Sequence, residues 1–244
     1  MDVSSDTYFK DSSQSAVWDE YKNARKPDEP NQQHVHMQRL NILSNVQYCM
    51  YVYIIGGFLG SGKTTLLMKL ASMYSKRGKR VAILVNEAGE IGVDGATLKA
   101  EGYDAIELPD GCICCSLSGT LQNAMKNIKR DIDPDIIIVE PTGLALPHKV
   151  RELIHFSMID PDEMFIIGIA DIQRFDDLIK KKEEFFKRQM YGADFILINK
   201  SDISTPEKMK AAMDWLKKEY PNKPMIPVST KTGENLEKVY EMMQ

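Results

Sequence analysis

The sequence predicts an α/β fold, a parallel β-sheet covered by helices on both faces. Three observations predict it. Short runs rich in Val and Ile recur from residue 51 onward, helix-spaced segments fill the gaps between them, and a glycine-punctuated turn joins the first run to the first helical segment. A strand buried on both faces reads as a continuous apolar run rather than an alternating one, and helical crossovers make such strands parallel.

In chain order the predicted strands are 51–55, 81–85, a short one at 105–108, 136–139, 164–170, 194–198 and 225–228. The predicted helices are 64–77, 117–130, 146–155, 173–190, 206–219 and 233–243. Ligands of such sheets bind at the carboxyl ends of the strands. Residues 1–49 read differently. They are polar, carry Pro27 and Pro30, and hold few branched apolar residues, too few to bury a core. The expected organisation is a polar tail over 1–49, with a helical turn at Ala16–Tyr21, and one folded domain over 50–244.

Bulk properties narrow the function. The 244 residues carry 31 basic and 35 acidic side chains, a net charge of −4. Nothing in that balance argues for nucleic acid or an anionic membrane as partner. No apolar stretch reaches the roughly 18 residues of a membrane helix. The start, Met1-Asp2-Val3-Ser4-Ser5-Asp6, is the opposite of a secretory signal. Of four cysteines, three crowd into 112–115, which is useless as a disulfide framework and suits a reducing cytosol. A cytoplasmic protein is expected.

The turn after the first strand is Gly57-Phe58-Leu59-Gly60-Ser61-Gly62-Lys63-Thr64-Thr65, a G-x-x-x-x-G-K-T spacing between strand and helix. Its glycines let the backbone curl so that several N–H groups converge on a polyphosphate at a helix N-terminus. Lys63 is expected to reach the β- and γ-phosphates and the Thr64 hydroxyl to ligate Mg²⁺. A glycine-rich turn that binds nothing is the plain alternative, and the strand–turn–helix context argues against it.

Strand 194–198 ends in Asn199-Lys200-Ser201-Asp202. A carboxylate at Asp202 can accept from N1–H and the 2-amino group of guanine, whereas adenine offers neither donor on that edge. Lys200 can lay its stem over the base, and Asn199 can tie this loop to the phosphate loop. Ser229-Thr230-Lys231, after strand 225–228, sits where a further guanine-contacting loop is expected. GTP is therefore favoured over ATP. After strand 136–139, Glu140-Pro141-Thr142-Gly143 places an acid three residues before a glycine. Glu140 is expected to contact Mg²⁺ or the attacking water, and the Gly143 N–H to contact phosphate. No glutamine follows Gly143 and no arginine finger is evident, so isolated turnover on the order of 10⁻⁴ to 10⁻² per second is expected.

Gly111-Cys112-Ile113-Cys114-Cys115 holds three thiols within four residues. Core cysteines come singly; soft thiolates at this density suit Zn²⁺, Cu⁺ or another thiophilic ion. Three ligands leave a tetrahedral position open, which suits transfer or sensing rather than a closed structural site. The fourth ligand is water or Glu87, in the glycine-punctuated loop Asn86–Asp94. A solvated acidic loop is the plain alternative for Glu87 and Glu90. His148 and His155 are read as surface histidines, His34 and His36 as solvated, and Cys49 as core.

In this order, GGFLGSGKTT, NEAGEIGVDG, GCICC, EPTG and NKSD resemble the CobW/HypB/UreG family of metal-handling P-loop GTPases, and GCICC points to its CobW-like branch. The likeness covers about residues 50–244. It implies the SIMIBI type of P-loop GTPase architecture and a cytosolic enzyme converting GTP to GDP and phosphate. It also implies a transition metal at Cys112, Cys114 and Cys115, with Zn²⁺ favoured and Co²⁺ the alternative. Nucleotide state would gate delivery of that metal, or of a metal-containing cofactor, to a client protein. CobW-like members usually carry a second, C-terminal domain, and their start is usually shorter; both departures bear on client choice. Three functions compete: a GTP-dependent metallochaperone, a nucleotide-switch regulator of a cofactor-dependent enzyme that carries no metal, and a small-molecule kinase. The kinase lacks an evident acceptor site. A homodimer is kept open.

Overall fold

The computed structural model describes residues 49–86, 104–108, 118–141, 143, 145–157 and 159–243. The tail reading for 1–49, apart from Cys49, lies outside the described residues. So do Glu87, Glu90, Cys112, Cys114 and Cys115. The chain divides at Cys49/Met50, and the sheet with its helices belongs to the unit Met50–Gln244.

Seven strands form one parallel sheet among the described residues: β1 (Tyr51–Gly57), β2 (Val81–Asn86), β3 (Asp104–Leu108), β4 (Ile136–Glu140), β5 (Glu163–Asp171), β6 (Phe195–Asn199) and β7 (Met225–Val228). Their spatial order is β3-β2-β4-β1-β5-β6-β7. Each described neighbour pair is parallel, with Tyr53 of β1 level with Ile138 on one side and Phe165 on the other. The connecting helices are α1 (Lys63–Ser75), α2 (Ser118–Asp131), α3 (Pro147–His155), α4 (Phe175–Met190), α5 (Pro206–Glu219) and α6 (Leu236–Met242). No described helix is long and apolar enough to cross a membrane.

The Ile- and Val-rich runs do what two-sided burial requires. Every residue of β6 and all but the last of β4 are buried, and β1 is buried from Val52 onward. Each such side chain removed from water contributes about 1.5–3 kcal/mol before entropy is counted, so the central strands dominate the core. Tyr53 and Tyr74 stack there at 5.6 Å. Their hydroxyls are paired, Tyr74 donating to Tyr53 and Tyr53 to the Met243 carbonyl, so two phenols are buried without orphaned oxygens.

Element ends lie within three residues of the expectation, and local chemistry accounts for the largest shifts. The helix expected from 233 starts at Leu236, because Gly233 (φ 90°) and Asn235 (φ 59°) occupy left-handed conformations that hold a turn. The helix expected over 173–190 starts at Phe175 and is broken inside at Lys182 (φ −145°, ψ 32°). The strand order sets β4, β1, β5, β6 and β7 side by side, so the five segments leaving their carboxyl ends line one edge of the sheet.

Candidate nucleotide site

The phosphate-loop sequence leaves β1 at Gly57 and enters α1 at Lys63. Gly62, the N-cap, has φ 100°, and a Cβ there would stand 2.2 Å from Asn199 Nδ2. Only glycine combines that dihedral with that clearance. Leu59 and Gly60 are exposed at the tip, Thr65 is half-buried, and Ser61 is buried with its Oγ unpartnered among the described groups.

Lys63 is buried and folds back over its own loop: Nζ donates to the Phe58 carbonyl at 3.3 Å and lies 4.0 Å from Glu140 Oε1. The same Oε1 accepts from the Thr64 hydroxyl at 3.0 Å. Glu140 ends β4, next to β1 in the sheet, which is why residues 76 apart in sequence meet. Burial pushes its carboxyl above the usual glutamate value, opposed by the Lys63 charge and the Thr64 hydrogen bond. A hydroxyl and a carboxylate side by side are the hard oxygen donors that suit Mg²⁺, and an ammonium above a glycine turn suits phosphate. These residues fit a metal-bound nucleoside triphosphate: Thr64 and Glu140 would hold the ion, Lys63 and the loop N–H groups the phosphates.

Asn199, Ser61 and Thr230 come together. Asn199 Nδ2 donates to the Ser61 carbonyl at 2.7 Å and to Thr230 Oγ1 at 3.1 Å, and its Oδ1 accepts from the Thr230 N–H at 2.9 Å. One buried amide thereby ties three segments far apart in sequence. Ser229 is buried beside it and turns the loop by accepting the Thr232 N–H on its Oγ. Lys200 is left-handed (φ 69°), while Asp202, in the 3₁₀ turn Ser201–Ile203, and Lys231 are exposed to solvent. Gly143 lies against the phosphate loop: a Cβ on it would stand 3.3 Å from the Leu59 nitrogen.

Three participants went unnoticed in the sequence. Asp171, 2% exposed at the end of β5, accepts Lys200 Nζ at 2.6 Å and the Gln173 N–H at 2.9 Å, fixing the lysine of the N-K-x-D loop. Arg174 Nη1 donates to the Leu59 carbonyl at 2.9 Å. Gln189, on α4, donates to the carbonyls of Gly143 and Ala145. Only the position of Asp171, at a strand end beside the motif-bearing strands, could have signalled any of them. Two expectations need correction. His148 is half-buried rather than on the surface, its ring edge-on to Tyr191 at 4.8 Å with Nδ1 unpartnered among the described groups; burial pushes its pKa down, with Lys149 adding to the shift. Cys49 is half-buried rather than in the core. No cluster of potential metal ligands occurs among the described residues.

A parallel sheet with a lysine-bearing glycine loop at its central strand, an acid on the next strand and an N-K-x-D loop two strands away defines a P-loop nucleotide-binding protein. The chain belongs to the CobW/HypB/UreG family, whose nucleotide-binding domain matches residues 51–227. It is 37% identical over 164 residues to the zinc chaperone YeiR of Escherichia coli, covering 66% of this chain and 50% of that protein. It is 33% identical over 212 residues to the zinc chaperone CobW of a Sinorhizobium species, covering 74% and 59%. The chain thus spans about half the length of the curated relatives it matches. The crystal structure of HypB from Helicobacter pylori in complex with nickel shares the fold, with a TM-score of 0.60 at 20% identity over 86% of this chain and 90% of that one.

Proposed function

We propose that this chain is a GTP-binding and GTP-hydrolysing domain that gates a transition metal held by Cys112, Cys114 and Cys115, for delivery to a metal-requiring client in the cytoplasm. The observation that carries the nucleotide half is the Asn199 amide, which joins the phosphate loop at Ser61 to the two loops that would frame a guanine. Asp202 would accept from the guanine edge, Lys200, steadied by Asp171, would cover the base, and Lys63 with the loop N–H groups would hold the β- and γ-phosphates. A bound Mg²⁺ would supply charge neutralisation at the phosphates. In hydrolysis, water adds to the γ-phosphorus, the bond to the β–γ bridging oxygen breaks with its electron pair left on GDP, and both water protons leave with the released phosphate, one on the attacking oxygen and one on a phosphate oxygen. Glu140 can orient that water or the ion; burial raises its pKa, and the Lys63 charge and the Thr64 hydrogen bond oppose that shift and favour the carboxylate.

The metal half rests on family membership, on the cysteine motif and on zinc chaperones among the relatives. Zn²⁺ fits three thiolates best, with Co²⁺ the alternative and Glu87 or water as fourth ligand. Titration of metal-free chain with Zn²⁺, then Co²⁺, in GDP and in a non-hydrolysable GTP analogue tests the whole. One ion per chain is expected, with affinities that differ between the nucleotide states by roughly 5- to 150-fold, and no binding once all three cysteines are serine. Metal stoichiometry untouched by Cys→Ser at 112, 114 and 115 would end the carrier reading and leave a nucleotide-switch regulator.

A further inference from the structure

A buried primary amide is costly unless its hydrogens are spent, and Gln189 spends them on one short stretch of backbone. It is 1% exposed, and its Nε2 donates to the Gly143 carbonyl at 3.3 Å and the Ala145 carbonyl at 3.0 Å. That stretch follows Glu140 and leads into α3 at Pro147. Gly143 and Pro147 within it are closely packed. A Cβ on Gly56 of β1 would stand 2.2 Å from Pro147 Cγ and 3.4 Å from the Gln189 carbonyl, and one on Gly143 would stand 3.3 Å from the Leu59 nitrogen. The phosphate loop leans on the same part of α4: Phe58 meets Phe185 edge-on at 5.1 Å and stacks on Phe186 at 6.2 Å. Both phosphate-side segments therefore rest on the half of α4 that follows the break at Lys182.

We propose that Gln189 is a positioning residue for the terminal phosphate: by holding the Gly143 and Ala145 carbonyls it fixes the backbone that turns the Gly143 N–H toward the triphosphate, and so sets the difference in affinity between GTP and GDP. The proposal rests on the reading of Glu140–Gly143 as the segment that meets the γ-phosphate. Loss of the amide frees the Gly143 and Ala145 carbonyls to rotate, and the Gly143 N–H, joined to the first of them through its own Cα, loses its fixed direction. GDP, which ends at the β-phosphate, draws on Lys63 and the phosphate loop instead and is spared. A residue that merely satisfies its own burial would lower stability and weaken both nucleotides alike.

The test compares wild type with Gln189→Met, which keeps the volume without a donor, and Gln189→Glu, which keeps the shape. Affinities for GDP and for a non-hydrolysable GTP analogue are measured with Mg²⁺ present. Analogue affinity should fall roughly tenfold or more while GDP affinity stays within about threefold. Parallel loss for both nucleotides, or no loss for either, would overturn the proposal. Should the variants fail to fold, amide hydrogen exchange on the wild type decides: going from GDP to the analogue should protect 143–147 and 183–190 together, and protection confined to 143–147 would overturn it. A wild-type chain that binds no guanine nucleotide would remove the nucleotide reading itself, whereas normal wild-type binding with an unchanged affinity ratio in the variants removes the Gln189 proposal alone.

Discussion

Replacing Asn199 by alanine should destabilise the nucleotide-free chain by about 2–6 kcal/mol. The amide is 1% exposed and makes three hydrogen bonds, two donated and one accepted. Truncation strands the Ser61 carbonyl and the Thr230 N–H, both in buried residues, at about 1–3 kcal/mol each; the Thr230 hydroxyl can rotate to another partner. For a domain of this size each kcal/mol lowers the melting temperature by roughly 2–4 °C, so a fall of about 4–24 °C is expected by scanning calorimetry. Asn199→Asp sharpens the test. It can still accept the Thr230 N–H, but an ionised oxygen then faces the Ser61 carbonyl, so its folded-state pKa is raised. Its deficit is full at neutral pH and should shrink as pH falls and the carboxyl regains a proton to donate. An alanine variant melting within about 2 °C of wild type, with an aspartate variant indifferent to pH, would refute the idea that this amide ties the loops together.

Glu140 gives a pH signature. Burial raises its pKa in the fold, so between the ordinary glutamate value and the raised one the folded chain retains a proton that the unfolded chain has released. Stability of the nucleotide-free chain should therefore drop as pH climbs through that window and level off above it; Glu140→Gln should remove this part of the slope in urea titrations across pH, and an unchanged slope would count against the burial. Asp171→Asn removes the charge that holds Lys200, and a charge-assisted bond of about 1.5–3 kcal/mol predicts roughly tenfold or greater loss of affinity for GDP and GTP alike by fluorescent nucleotide titration. Unaltered binding would show that Lys200 does not need the anchor. Gly56→Ala must push Pro147 away from a 2.2 Å encounter, costing about 1–3 kcal/mol; the urea midpoint should fall without a change in slope, and an unmoved midpoint would deny the close approach of α3 to β1.

The sheet was legible because two-sided burial writes itself as unbroken Ile and Val: 136–139 and 194–198 reappear as β4 and β6 within a residue. The phosphate loop and N-K-x-D stand out in the sequence because each is a local spacing, and in the fold Asn199 donates to the Ser61 carbonyl. What the sequence concealed depends on tertiary placement. Gln189 and Arg174 are ordinary polar residues in or beside a helix until α4 is laid over the phosphate loop. The break at Lys182 lies in a stretch, Lys180-Lys181-Lys182-Glu183-Glu184, of good helix formers, and local propensity gives no warning of it. His148 gives no sign of its surroundings in the sequence; Tyr191 meets its ring edge-on at 4.8 Å, and a Cβ on Gly192 would stand 3.2 Å from its Cβ.

Coupling between guanine nucleotide and thiolate-held metal is the claim on which the rest depends, and linkage makes it measurable from the nucleotide side. The affinity of the GTP analogue relative to GDP should be determined by calorimetry without metal and again with one equivalent of Zn²⁺. The ratio should change with metal by the same factor by which nucleotide changes metal affinity, and the change should vanish in the variant with serine at 112, 114 and 115. A ratio indifferent to Zn²⁺, in a chain that binds both ligands, would contradict the account.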